Sequence, residues 1–246
     1  MGLSKFTPSP SIHLVTDMTW QLSRIMKTLK QAQISLKSGG DAPHLPSTLE
    51  VQMSDLTSDL PTHVLAVFPR LAPSGSTAKP KVSLHLTHSI ILGTHCASIP
   101  VAQLARKASQ TVSETTTYTL PVIPVVLPDP NRFSVLHFFL YTHSALGLLS
   151  SLLPLPPNLT QSQSQTTSSP TPSLDIPTIS AHLARTYTPT ILGEIAAHIH
   201  GVWANACSLG VWEESLWDTI DLCWAAVIGA YKLIALHQAP SEPTKL

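Results

Sequence analysis

Residues 121–154 read PVIPVVLPDPNRFSVLHFFLYTHSALGLLSSLLP, a proline-punctuated apolar run that turns at Asp129-Pro130 into helix-like sequence. No other stretch limits the fold so strongly. Val122 to Leu127 is β-prone, but Pro121, Pro124 and Pro128 have no N–H to give a ladder. The segment is therefore expected as an edge strand or an extended lead-in, not a central strand. Asp129 can cap a helix whose first residue is Pro130. Phe133, Leu136, Phe139 and Leu140 then recur at helical spacing and supply a buried face ending near Tyr141. Ser144 caps a second short helix running to Leu153. Strand, helix, tight turn, helix is the grammar of an α+β fold.

Upstream, HVLAVF at 63–68 is a short apolar run closed by Pro69, as a buried strand requires. Val82, Leu84 and Leu86 alternate with Ser83, His85 and Thr87, the period of a half-buried strand. The two runs are expected to pair as a hairpin with a long polar loop. Residues 90–99 are apolar without a clear period, Pro100 suits the first position of a helix carrying Val101, Leu104, Ala105 and Ala108, and 115–120 is β-prone. Nearer the N-terminus, Asp17 can cap a helix over 17–33 in which Leu22, Ile25, Met26 and Leu29 form one stripe, with Arg24, Lys27 and Lys30 mostly off it.

Residues 154–177, PLPPNLTQSQSQTTSSPTPSLDIP, hold too few apolar groups to offset the entropy of ordering and are expected as a flexible insert. Helices follow over about 179–185, 191–206 and 213–237. In the last, Leu216, Ile220, Cys223, Trp224, Val227, Ile228, Tyr231 and Ile234 keep helical spacing and predict a largely buried helix. Of Trp203, Trp212, Trp217 and Trp224, the core should hold most, with Trp212 or Trp217 the exposed exceptions. The resulting organisation is an N-terminal segment (1–60), an α+β unit (61–153), the insert (154–177), C-terminal helices completing the fold (178–238) and a tail (239–246).

Composition narrows the function. The chain has 246 residues, 43% hydrophobic, enough for a sizeable core. Its formal net charge is zero, so no global field favours nucleic acid or an anionic membrane. The N-terminus lacks the apolar core of a secretory signal, and Phe6 stands where a myristoylation site needs Ser or Thr. The most apolar run, 222–236, is interrupted by Lys232 and falls short of the roughly 20 residues of a membrane span. Cys96, Cys207 and Cys223 are widely spaced among apolar neighbours, as reduced, buried thiols of the nucleus or cytoplasm would be.

Catalytic chemistry finds no foothold. Neither His85, His88, His95 and Cys96 nor the pair His198 and His200 has the spacing of a zinc site. No nucleophile elbow, phosphate-binding loop or dinucleotide fingerprint is present. His200 and Cys207 lie two helical turns apart, about 10 Å, beyond hydrogen-bond reach. Catalytic, cofactor and metal residues are therefore all expected to be none. A metal-dependent or Cys/His hydrolase without a known motif is the alternative reading.

The element order from His63 onward, closing on Phe133, Leu136, Leu140, Tyr141 and Thr142, resembles a BTB/POZ domain. Over about two thirds of the chain, PVVLPDPNRFSVLHFFLYT together with HIHGVWANACSLGVWEESLWDTIDLCWAAVIGAYKLI is similar to the clampless-type proteins of mushroom-forming and smut fungi. That resemblance implies a non-enzymatic regulator of sexual development, needed for clamp-cell formation and the dikaryon downstream of mating-type homeodomain factors. It would act through contacts with a transcription factor or other regulatory protein, without direct nucleic-acid or membrane binding; a homo-oligomeric scaffold is a further option. The expected protein-binding residues are Trp20, Leu22, Ile25, Met26 and Leu29 on the first helix, and Trp212 with Trp217.

Overall fold

The computed structural model describes residues 45–52, 60–70, 82–107, 109–112, 116–156 and 175–238. The helix expected over 17–33, with Trp20, Leu22, Ile25, Met26 and Leu29, lies outside them, as do 157–174 of the expected insert. The architecture is mixed α+β, and the chain divides into two compact units, Met1–Pro130 and Asn131–Leu246.

The first unit is built on a five-stranded sheet. Strand β2 (His63–Pro69) pairs antiparallel with β3 (Ser83–Thr87), His63 opposite Thr87, giving the expected hairpin. β1 (Thr48–Gln52) and β4 (Ser109–Val112) both pair antiparallel with the first half of β5 (Thr116–Leu127), and β2 pairs parallel with its second half, from Val64↔Val122 to Pro69↔Leu127. The order is β1-β5-β2-β3, with β4 also on β5. β5 is thus an internal strand, contrary to the expectation drawn from its prolines.

The ladder pattern explains how the prolines are accommodated. Val122 N donates to Ser47 O at 3.0 Å, so Pro121, one residue back and opposite Thr48, has its nitrogen turned away from β1. Over 122–127 only β2 is paired, and Pro124 is exposed. Each proline nitrogen can then sit where no ladder donor is required.

One face of the sheet buries Val64, Ala66, Leu86, Tyr118, Leu120 and Val122, with Leu49, Val51, Val82 and Leu84 packed at its margin. The opposite face buries Leu65, Val67, Ile123, Val125 and Leu127. β2 is covered on both sides, hence its unbroken apolar run. Each fully buried Leu or Val side chain here contributes about 1.5–3 kcal/mol. Two short helices follow the hairpin, α1 (Ser89–His95) and α2 (Val101–Leu104). His88 does not cap α1 with its side chain. Thr62, the residue before β2, does so, its Oγ1 accepting from Ser89 N at 2.7 Å. α2 is a single turn with nothing buried, shorter than the helix expected through Ala108, and Pro100 is its N-cap.

The second unit is helical. After a 3-10 turn (Pro130–Arg132), α3 (Phe133–Thr142) buries Phe133, Leu136, Phe139 and Leu140 as expected, and His137 and Tyr141 as well. His143 adopts a left-handed conformation (φ 48) that ends α3, and Ser144 Oγ accepts from Gly147 N at 3.0 Å to start α4 (Ala145–Leu152). α5 (Ile176–Thr186), α6 (Pro189–Leu209) and α7 (Glu214–Gln238) complete the unit. α6 has Thr188 at its N-cap, Pro189 in its first turn, and Gly210 at φ 65 after its last residue, so both ends are written in sequence. α7 packs on α5, α6 and α4. α5 and α7 approach closely where Gly229 meets Ser180, whose Oγ donates to Ala226 O at 3.0 Å.

α7 departs from the largely buried helix expected. Its buried face is Leu216, Thr219, Ile220, Cys223, Ala226, Val227 and Ala230; Trp224 and Ile234 are half-buried, and Ile228 and Tyr231 are exposed. At 25 residues and a mean hydropathy of 1.6 in its most apolar window, it is long and apolar enough to cross a membrane. It differs here from the shorter run measured between charges.

Candidate functional site

α6 crosses the second unit with Leu192, Ile199, Val202, Ala206 and Leu209 facing inward. The opposite face carries Gly193, Ala197, His200, Ala204 and Cys207 at spacings of four, three, four and three, with Trp203 on its flank. Glu194 is the only Asp, Glu, Lys or Arg on the whole helix. The result is an exposed helix face of small residues and one large aromatic ring. Trp203 is 41% exposed, and the His200 ring lies against it at a centroid separation of 5.5 Å.

Beyond the Gly210 turn, Val211 is buried and Trp212 is 63% exposed. The local reason is geometric. Val211 N donates back to Ala206 O at 3.0 Å, while Trp217, one turn into α7, donates its Nε1–H to Val211 O at 3.1 Å. Val211 is held from both sides, and Trp212 is turned outward. Of the expected pair, Trp212 is thus exposed at the surface. Trp217 is half-buried with its indole N–H engaged. Trp203 was expected in the core and is instead exposed.

Thiol and imidazole chemistry is muted. Cys96 and Cys223 are buried, and burial pushes both thiols up to about 12, so the nucleophilic thiolate is scarce at neutral pH. Cys207 is exposed, which corrects the expectation of three buried thiols. Burial holds His85 down at about 4, with its Nε2 3.3 Å from Ser83 Oγ. Burial also lowers His63, helped by the Arg106 charge and opposed by the Gln103 carbonyl 3.2 Å from its Nε2. Both imidazoles are neutral parts of a packed sheet.

The signal for the α6 face was present in sequence. Positions 193, 197, 200, 204 and 207 are Gly, Ala, His, Ala and Cys, none of them a large aliphatic. His200 and Cys207 share a side, as their seven-residue spacing requires, and that side is the outer one.

Residues 10–128 match the family model for the clampless protein 1 N-terminal domain, and residues 146–245 match that for its C-terminal domain. The chain belongs to the clampless family. The N-terminal match ends two residues short of the unit boundary at Pro130, and α3 lies between the two matches. Clampless protein 1 of Cryptococcus neoformans var. neoformans serotype D, from strains JEC21 and B-3501A, is 30% identical over 110 residues. That alignment covers 45% of this chain and 20% of the relative, so this clampless-family chain spans about a fifth of the curated proteins it matches.

Proposed function

We propose that this chain is a non-enzymatic regulator of clamp-cell formation, acting through protein contacts downstream of mating-type homeodomain factors. It works in the nucleus or cytoplasm. Family membership supports the biological setting, and the buried, protonated thiols agree with a regulatory rather than catalytic role. The partner is a transcription factor or other regulatory protein. The observation that carries the reading is the α6 face, where Trp203, stacked on His200, stands on a helix surface almost free of charge, with Trp212 exposed just beyond its end. Surface aromatics with few charged neighbours are the usual anchors of protein interfaces. The first unit supports a BTB/POZ-like ancestry: the β2–β3 hairpin, the α1 and α2 turns, and then β5 returning parallel to β2.

The test is affinity capture of the tagged full chain from sexually developing cells, followed by binding measurements with the recovered protein. Trp203→Ala and Trp212→Ala should each weaken binding by about 2 kcal/mol or more, roughly thirtyfold, while thermal unfolding is unchanged. A parallel pair, Ile25→Glu and Leu29→Glu, tests the N-terminal stripe. Unaltered affinity in the Trp203→Asp, Trp212→Asp double variant would rule the α6 surface out.

A further inference from the structure

The outer face of α7 is a second surface, distinct from that of α6. Going along the helix, Asp218, Asp221, Ala225, Ile228, Lys232 and Ala235 follow one another at intervals of three and four, which sets them in a single seam. All are exposed except Ala225, which is half-buried. Ile228 is 49% exposed and Leu236, beside the seam, 72%. An aliphatic ridge this open, on a helix otherwise well packed on α4, α5 and α6, has no cover among the described residues.

We infer that this face binds the same face of a second copy, with the two α7 helices antiparallel. The register is set by charge. A pairing that brings Asp221 against Lys232 of the second copy also brings Ala225 against its Ile228, and twofold symmetry repeats both contacts. Asp218 comes level with Ala235 of the second copy at each end. Small opposite large at the centre lets the helices approach, and acid opposite base flanks them. Among the described residues neither Asp221 nor Lys232 has an ion-pair partner within the chain. The parallel arrangement would set Asp221 on Asp221 and Lys232 on Lys232, so the same two residues select the antiparallel one. A single helix pair buries an area at the low end for specific interfaces. The dimer is accordingly weak, with a dissociation constant in the micromolar range, and salt-sensitive.

Sedimentation equilibrium of the full chain tests this at low and high salt. Wild type should self-associate, Asp221→Lys and Lys232→Asp should each weaken the dimer at least tenfold, and the variant with both exchanges should recover it. Mixing the two single variants should give a heterodimer, because each supplies the charge the other has lost. Helical circular dichroism reports that the variants remain folded. A wild-type chain that stays monomeric, a dimer indifferent to either charge reversal, or singles that fail to pair when mixed would overturn the inference. Phosphatidylcholine vesicles added to the wild type provide the competing outcome: uptake of the chain with loss of the dimer would mean that α7 covers its ridge with lipid.

Discussion

Acidification should loosen the first unit through His85. This residue lies on β3 opposite Leu65 of β2 and is 6% exposed. Burial holds its pKa at about 4, against 6.5 for a free imidazole. The folded value is the lower one, so the unfolded chain binds the extra proton first as pH falls. Stability is therefore at its full value above about pH 6.5 and is lost as pH drops toward 4. From these two values the loss is about 2 kcal/mol between pH 7 and pH 5, rising to about 3 kcal/mol below pH 4. His63, also lowered by burial, acts in the same sense. Four of the five tryptophans, at 203, 212, 217 and 224, belong to the other unit, so fluorescence would report mainly on that unit. Hydrogen exchange at the β2 and β3 amides, measured from pH 7 to pH 5 under exchange-rate correction, reads the right place. His85→Gln should flatten that pH dependence by most of the stated amount. A variant as acid-sensitive as the wild type would refute the assignment.

Three further outcomes follow from the packing. A maleimide should label Cys207 quickly in the native chain and leave Cys96 and Cys223 unmodified until denaturant is added; mass spectrometry showing fast native labelling of either buried thiol would contradict their burial. Ser144→Ala removes the acceptor for Gly147 N and should cost about 1 kcal/mol in chemical denaturation, concentrated in α4. Gly229→Ala would place a Cβ 2.9 Å from Ser180 Cβ, and the overpacking, about 1–3 kcal/mol, should outweigh the roughly 1 kcal/mol gain in helix propensity. Adding Ser180→Gly should restore most of the loss, and a Gly229→Ala chain more stable than wild type would disprove the close crossing.

What was legible in sequence was what local chemistry decides. The β2–β3 hairpin followed from an apolar run and a period of two, and the α3-to-α4 passage from the Ser144 cap. The position of β5 was not legible, because whether a proline interrupts a ladder depends on which side its nitrogen faces. That side is set by register against β1 and β2, and the parallel pairing of β2 with β5 spans more than fifty residues. Periodicity over a dozen residues carries no information about a partner so distant.

The two candidate surfaces were hard to see for one shared reason. Hydropathy is summed round a whole helix, whereas burial samples only the side that meets the rest of the fold. α7 is apolar enough for a membrane, yet only 33% of its most apolar window is buried inside the chain. The same excess placed Trp203 in the expected core when it belongs to the α6 surface. A polar face would have served the packing of the described residues equally well, so the aliphatic and aromatic side chains exposed on these helices need something beyond that packing to explain them. The two faces differ in what they could recognise. α6 offers a ring and small residues with almost no charge, which accepts a foreign apolar ridge. α7 carries acid and base disposed about a short aliphatic centre, which is complementary to its own image. A partner seated on α6 would therefore leave α7 free to pair, and the two contacts could be held at once.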